Sequence, residues 1–272
     1  MPRFVAPDGV ELHYAVRGNG PPLLCLAGLT RNSTDFDYVA PFLDDVQMIC
    51  LDYRGRGLSE WGDPTSYTIP TEAGDALALL DHLGIGKAAI LGTSRGGLIA
   101  MGLAATVPDR LLGVFLNDIG PDIAPNGLAA IMGYLGRAPK ERTLAEAAAM
   151  RATLLTGFAN VPASRWFEEV SRHYRQTAEG LAITYDPALR RAVETASTQP
   201  APDLWPLFDA LAAVPLGLVR GANSDLLTSE TANEMRRRRP DMLFAEIADR
   251  GHVPFLDEPA AVALLRRWVE SL

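Results

Sequence analysis

A serine set between two glycines, in Gly92-Thr93-Ser94-Arg95-Gly96, joins the apolar run Ala88-Ala89-Ile90-Leu91 to a second apolar run, Leu98-Ile99-Ala100-Met101. In a G-x-S-x-G turn from strand to helix the backbone doubles back so tightly that a side chain at either glycine would strike neighbouring chain, and the serine hydroxyl is pushed outward. Ser94 is therefore a candidate nucleophile. The helix that follows aims unpaired N–H groups at this hydroxyl, so the amide of Arg95 is a candidate donor to a substrate oxygen that gains negative charge.

A serine hydroxyl is a weak nucleophile at neutral pH and needs a base, itself held by a third group. The chain has four histidines. His13 lies in an alternating strand pattern and His82 at the end of a helical one, and both read as structural or surface residues. His173 belongs to a polar helical stretch and reads as a solvated side chain. His252, in the loop Asp249-Arg250-Gly251-His252-Val253-Pro254, is the base candidate. The orienting acid should follow a strand. Asp225, after the run Pro215–Val219 and a glycine-containing turn, is the first choice, and Asp118, directly after Leu112–Asn117, competes with it because either strand end could approach His252.

With Ser94, Asp225 and His252 in that order, the chain resembles the α/β-hydrolase family, whose triads run nucleophile, acid, histidine. Three further stretches carry the resemblance: Asp52-Tyr53-Arg54-Gly55-Arg56-Gly57-Leu58-Ser59, which looks like the family's D-x-R-G-x-G-x-S loop; Arg250-Gly251-His252; and Glu258-Pro259-Ala260 opening the last helix. The resemblance spans nearly the whole chain. It implies a mostly parallel eight-stranded sheet with helices on both faces, and a second oxyanion donor at the amide of Leu29. One departure stands out: Ala27 occupies the place where many relatives have histidine before glycine, which leaves the support of the Leu29 loop to other residues.

The implied reaction is hydrolysis of a small-molecule ester or lactone through an acyl-enzyme on Ser94. Carbon–carbon bond hydrolysis of a ring-cleavage diketone is the enzymatic alternative, and a ligand receptor on the same scaffold is the alternative from another class. A serine nucleophile argues against haloalkane dehalogenase or epoxide hydrolase chemistry, in which relatives use aspartate.

The elements that must position these residues follow from patterning. Arg3–Ala6 and Glu11–Val16 read as an antiparallel hairpin about Asp8-Gly9, followed by strand runs Leu23–Leu26, Gln47–Leu51, Ala88–Leu91, Leu112–Leu116, Pro215–Val219 and Leu243–Ile247. Helical patterns over Glu72–Leu83, Leu98–Thr106, Ser229–Arg238 and Glu258–Val269 alternate with them, as a doubly covered parallel sheet requires. From about Ile123 to Gln199 the alternation stops and no convincing strand run is found. The expected organisation is a core of residues 1–120 and 201–272 with a helical cap over 121–200, bracketed by Gly120-Pro121 and Pro200-Ala201-Pro202. Candidate substrate contacts are Arg31, Phe36, Trp61, Tyr134, Phe158 and Trp166, with Arg31 the sharpest because a guanidinium two residues past Leu29 could meet a substrate carboxylate or carbonyl.

At 272 residues the chain can bury one large α/β core. A formal charge of −8 disfavours nucleic acid and anionic membranes as partners, and the run Arg236–Arg239 sits where cations complement a helix end. No apolar stretch approaches the roughly 20 residues that span a bilayer, and no signal-peptide core follows Met1, so the cytoplasm is the expected location. Cys25 and Cys50 lie in separate apolar runs and read as buried thiols. No zinc-ligand spacing and no phosphate-binding loop occurs, so no cofactor or metal is expected.

Overall fold

The computed structural model describes residues 1–198 and 201–272; Gln199 and Pro200, on which the expected end of the cap falls, lie outside the described residues. All eight expected strand runs join one sheet: β1 (Arg3–Val5), β2 (Glu11–Arg17), β3 (Pro22–Leu26), β4 (Gln47–Leu51), β5 (Ala88–Thr93), β6 (Leu111–Asn117), β9 (Leu216–Gly221) and β10 (Leu243–Ile247). Their order across the sheet is β1-β2-β4-β3-β5-β6-β9-β10. β2 runs antiparallel to β1 and β4, and every other pairing is parallel.

The sheet is buried on both faces, which is why its central strands are continuous apolar runs and not alternating ones. Leu24, Leu26, Ile90, Val114 and Leu116 pack on one side with α1 (Ile69–His82) and α2 (Arg95–Thr106). Leu23, Cys25, Ala89, Leu91 and Phe115 pack on the other with α9 (Pro259–Val269), whose Trp268 is fully buried with its ring 5.4 Å from that of Phe115. Cys25 and Cys50 are register partners on β3 and β4 and are free buried thiols. α1 begins earlier than its hydrophobic pattern, because the hydroxyl of Thr68 accepts the N–H of Thr71 and Pro70 fits the first turn.

Between β6 and β9 lie α3 (Pro125–Tyr134), α4 (Leu144–Leu154), α5 (Ala163–His173), α6 (Leu189–Ala196) and α7 (Trp205–Asp209), together with a two-stranded antiparallel hairpin, β7 (Tyr174–Gln176) and β8 (Leu181–Ile183). The hairpin corrects the expectation that this stretch has no strands. Each strand is only three residues long, too short for a period-two pattern, and the turn is closed by the Thr177 N–H on the Gly180 carbonyl at 2.7 Å. α4, α5 and β8 share a small apolar cluster of their own around Trp166 and Val170. α8 (Ser229–Arg238) completes the helices. Among the described residues no helix is long and apolar enough to cross a membrane.

Candidate active site

Ser94 sits between β5 and α2 with φ 51° and ψ −113°, a left-handed conformation that a serine adopts only under constraint. The constraint is steric and local. A Cβ at Gly96 would lie 2.0 Å from the carbonyl oxygen of Leu26, and one at Gly92 would lie 2.6–2.7 Å from the backbone of Gly96 and Gly97. Only glycine lets the turn pass this close to β3 and to itself.

The imidazole of His252, in the loop after β10, places Nε2 2.9 Å from Ser94 Oγ. Its Nδ1 is 2.7 Å from Oδ2 of Asp118, not of Asp225. This corrects the expected acid. Asp118 directly follows β6, takes φ 55°, and is fully buried. Its Oδ1 accepts the N–H of Gly221 at 2.7 Å and its Oδ2 accepts the hydroxyl of Ser224 at 2.6 Å, so the end of β9 supplies donors to the carboxylate. Asp225 lies beyond that turn with its residue exposed. The physical reason is position across the sheet: β6 is the neighbour of β5, and the carboxyl end of β6 lies beside the elbow, where the Ser94 N–H bonds the Asn117 carbonyl at 3.0 Å.

The amide of Arg95 opens α2 and that of Leu29 follows β3; among the described residues neither has an acceptor in the protein. A Cβ at Gly28 would lie 3.8 Å from Ser94 Cβ, so the Leu29 loop passes beside the nucleophile. The support that Ala27 does not give comes from the loop after β4. Tyr53 Oη donates to the Ala27 carbonyl at 3.1 Å, and Arg56 Nε donates to the Leu29 carbonyl at 3.0 Å. Arg56 in turn faces Glu72 at 2.9 Å, and Glu72 Oε2 receives Arg95 Nε at 2.5 Å. Burial alone would raise the Glu72 carboxyl, but the two guanidiniums overcome it and hold it below the usual range. One buried carboxylate thus links the loops that carry both candidate amides. Sequence reasoning missed Tyr53 and Glu72, whose only signal was an aromatic inside the D-x-R-G motif and an acid in the first turn of α1.

The same motif builds a second aspartate–histidine pair. Asp52 Oδ2 is 2.8 Å from His13 Nδ1, and Asp52 also accepts the N–H groups of Ser33 and Leu58 at 2.6 and 2.9 Å. The loop of His252 is fixed by Glu258, which meets Arg250 Nε at 2.7 Å and accepts the amides of Phe255 and Leu256 at 3.1 and 2.9 Å.

A cleft with a cavity volume of about 30 Å³ is lined by His252, Thr93, Asn117, Phe158, Trp166, Phe255, Arg31, Asp35 and Glu169, with Ser94 just behind His252 and outside the lining. Of the six expected contacts, Arg31, Phe36, Phe158 and Trp166 line it. Trp61 and Tyr134 are 56 % and 50 % exposed and do not. Asp35, Glu169 and Asn117 line it without having been expected.

His173 is buried, against the expectation of a solvated side chain. Its Nδ1 faces Arg151 Nη1 at 2.6 Å, its Nε2 faces Asp35 Oδ1 at 3.3 Å, and Arg31 Nη1 lies against the ring edge, closest to Nε2. Burial, then Arg31 and Arg151, push its pKa well below the ordinary histidine value, and the ring is neutral. Charged residues on both sides in sequence suggested solvent; they are instead its partners.

A profile of the alpha/beta hydrolase family matches residues 23–264. The 3-hydroxybutyrate-oligomer hydrolase of Cupriavidus necator is 36% identical over 252 residues, 89% of this chain and 86% of that one. The 3-oxoadipate enol-lactonase 2 of Acinetobacter baylyi is 28% identical over 265 residues, 93% of this chain and 90% of that one. An alpha/beta hydrolase crystal structure from Novosphingobium aromaticivorans superposes with a TM-score of 0.93 at 36% identity, covering 100% of this chain and 98% of that one.

Proposed function

Because the chain belongs to the alpha/beta hydrolase family and is a hydrolase of esters or related substrates, we propose that it cleaves a small-molecule carboxylic ester or lactone through an acyl-enzyme on Ser94. The observation that carries this reading is the continuous line Ser94 Oγ, His252 Nε2 at 2.9 Å, and His252 Nδ1 to Asp118 at 2.7 Å, with His252 also lining the cleft. The names of relatives that act on a hydroxyacid oligomer and an enol-lactone support it.

In the first step Ser94 Oγ attacks the carbonyl carbon while His252 Nε2 takes its proton. Negative charge passes to the carbonyl oxygen, where the amides of Leu29 and Arg95 are the donors. Buried Asp118 holds the ring in the tautomer that leaves Nε2 as acceptor, and stabilises the imidazolium that forms. Collapse breaks the bond to the alcohol oxygen, which receives the proton from Nε2. Water then gives a proton to Nε2, attacks the acyl carbon, and releases the acid as Ser94 regains its hydrogen. Residues 121–200 act as the cap in this reading, since α4 and α5 supply or flank Leu155, Phe158, Trp166 and Glu169 of the cleft wall.

The test is steady-state hydrolysis of a panel of acyl esters, lactones and a ring-cleavage diketone by the intact chain and by Ser94→Ala. Turnover of esters or lactones that vanishes in the variant supports the reading. Turnover of the diketone alone moves it to carbon–carbon hydrolysis, and activity that survives in the variant removes Ser94 as nucleophile.

A further inference from the structure

Arg31, Asp35 and Glu169 form an ionic part of the cleft wall, and its central residue, Arg31, has not used its hydrogen-bonding capacity. Arg31 Nη1 makes every contact found for this guanidinium: Glu169 Oε2 at 3.2 Å, Asp35 Oδ1 at 3.6 Å, and the ring of His173. Among the described residues, Nε and Nη2 have no acceptor, although the side chain lines the cleft and is 23% exposed. Those two nitrogens form one edge of the planar fork, the edge whose spacing matches the two oxygens of a carboxylate. Arg151 behaves alike. It bonds His173 through Nη1, and its nearest acid, Glu169, is 3.9 Å away. Two guanidiniums therefore share a neutral imidazole, and Arg172 is committed to Asp37 at 3.0 Å. The position suits a substrate. A Cβ at Gly28 would touch both Arg31 Cγ, at 3.3 Å, and Ser94 Cβ, at 3.8 Å, so the arginine stem passes beside Ser94 while its guanidinium joins the acids of the cleft wall.

We infer that the Nε–Nη2 edge of Arg31 binds a carboxylate on the substrate, so that the ester cleaved at Ser94 is an anionic one whose free carboxylate lies a few bonds from the scissile carbonyl. The inference rests on the ester-hydrolase reading for the nature of the molecule, but not for the carboxylate site itself. Glu169 and Asp35 oppose excess positive charge there and hold the fork in place through Nη1.

The test uses the full chain with Ser94→Ala to stop turnover, and two probes that differ only in the free carboxylate, monomethyl glutarate and dimethyl glutarate. Equilibrium binding by calorimetry is expected to favour the monoester by on the order of 10- to 100-fold, the effect of a charge-assisted hydrogen-bonded pair. Adding Arg31→Gln brings the ratio towards one, and Arg31→Lys, which keeps charge but not the fork, restores part of it. Higher ionic strength narrows the preference. A monoester that binds no better than the diester, including one that does not bind at all, overturns the inference, as does a preference that persists in Arg31→Gln. Turnover by the chain with Ser94 intact is read separately. Selective binding without hydrolysis of either probe leaves the carboxylate site standing and counts against the ester reading.

Discussion

Two aspartate–histidine pairs of nearly the same geometry occur in this chain, and only one of them faces a cleft. Asp52 meets His13 Nδ1 at 2.8 Å and Asp118 meets His252 Nδ1 at 2.7 Å, both carboxylates are buried, and each accepts two further hydrogen bonds. The difference lies at the other ring nitrogen. His252 Nε2 faces the hydroxyl of Ser94, whereas the serine near His13, Ser59, bonds its backbone N–H at 2.9 Å and leaves the ring without a nucleophile. A buried carboxylate on an imidazole is thus a structural unit that becomes a catalytic one only when the far nitrogen meets an activated group in an open site. In the proposed mechanism the strained elbow supplies that group.

Breaking the two pairs in turn should separate the roles. Asp118→Asn is expected to lower kcat on the best ester by about 10⁴-fold through loss of the correct tautomer, and to be no worse when combined with Ser94→Ala than Ser94→Ala alone, because the three residues act as a unit. Single and double variants compared by steady-state kinetics check this; a loss below tenfold would remove Asp118 from the mechanism. Asp52→Asn should act on the fold instead. Replacing a charge acceptor shared by His13, Ser33 and Leu58 is expected to cost about 1–3 kcal/mol in urea unfolding, while kcat per folded molecule stays within about threefold.

A third imidazole sharpens the comparison. His173 also has an aspartate, Asp35, on one nitrogen, but Arg31 crowds that same edge, Arg151 meets the other nitrogen, and Arg172 and Glu169 complete the charges around it. Its folded pKa is depressed below an unfolded value of about 6.5. Above that pH both states are neutral and stability is indifferent to it. As pH falls below about 6.5 the unfolded chain gains a proton that the folded one refuses, and stability declines by up to about 1.4 kcal/mol per pH unit until the folded value is reached. Urea midpoints between pH 7.5 and 5 are therefore expected to fall more steeply for the native chain than for His173→Gln; parallel curves would mean that the buried ring carries no such penalty. The smallest effect belongs to the displaced acid. Asp225→Asn should change kcat/KM by less than about threefold, since the exposed residue makes no contact with His252; a loss like that of Asp118→Asn would return it to the triad.

Most of the fold was legible because its signals are local. Each central strand is a short apolar run closed by glycine or a polar turn, and burial of both faces makes those runs conspicuous. The hairpin β7–β8 was not legible, since three residues carry no period. At the site, Gly92, Ser94 and Gly96 were readable as a set because the clash they avoid lies within a few residues or on the adjacent strand. Local grounds do not separate Asp225 from Asp118, as both follow apolar strands. Their separation required knowing that β6 is seated between β5 and β9, with the turn after β9 donating to the Asp118 carboxylate. His173 was misjudged for a related reason, because a run of charges reads as solvated unless its partners on α4 and the loop after β3 are known.

The strand and helix runs, the elbow with Ser94 at its tip, and His252 as the histidine paired with it were all readable from the residues themselves, because steric exclusion and hydrophobic patterning act over a few residues. Only the folded arrangement settles which carboxylate meets His252, which loops brace the candidate amides, and that Arg31 has, among the described residues, one edge of its guanidinium without an acceptor in the cleft wall. Those depend on hydrogen bonds near 3 Å between residues from 23 to 158 positions apart, and only strand order and register bring such atoms within reach.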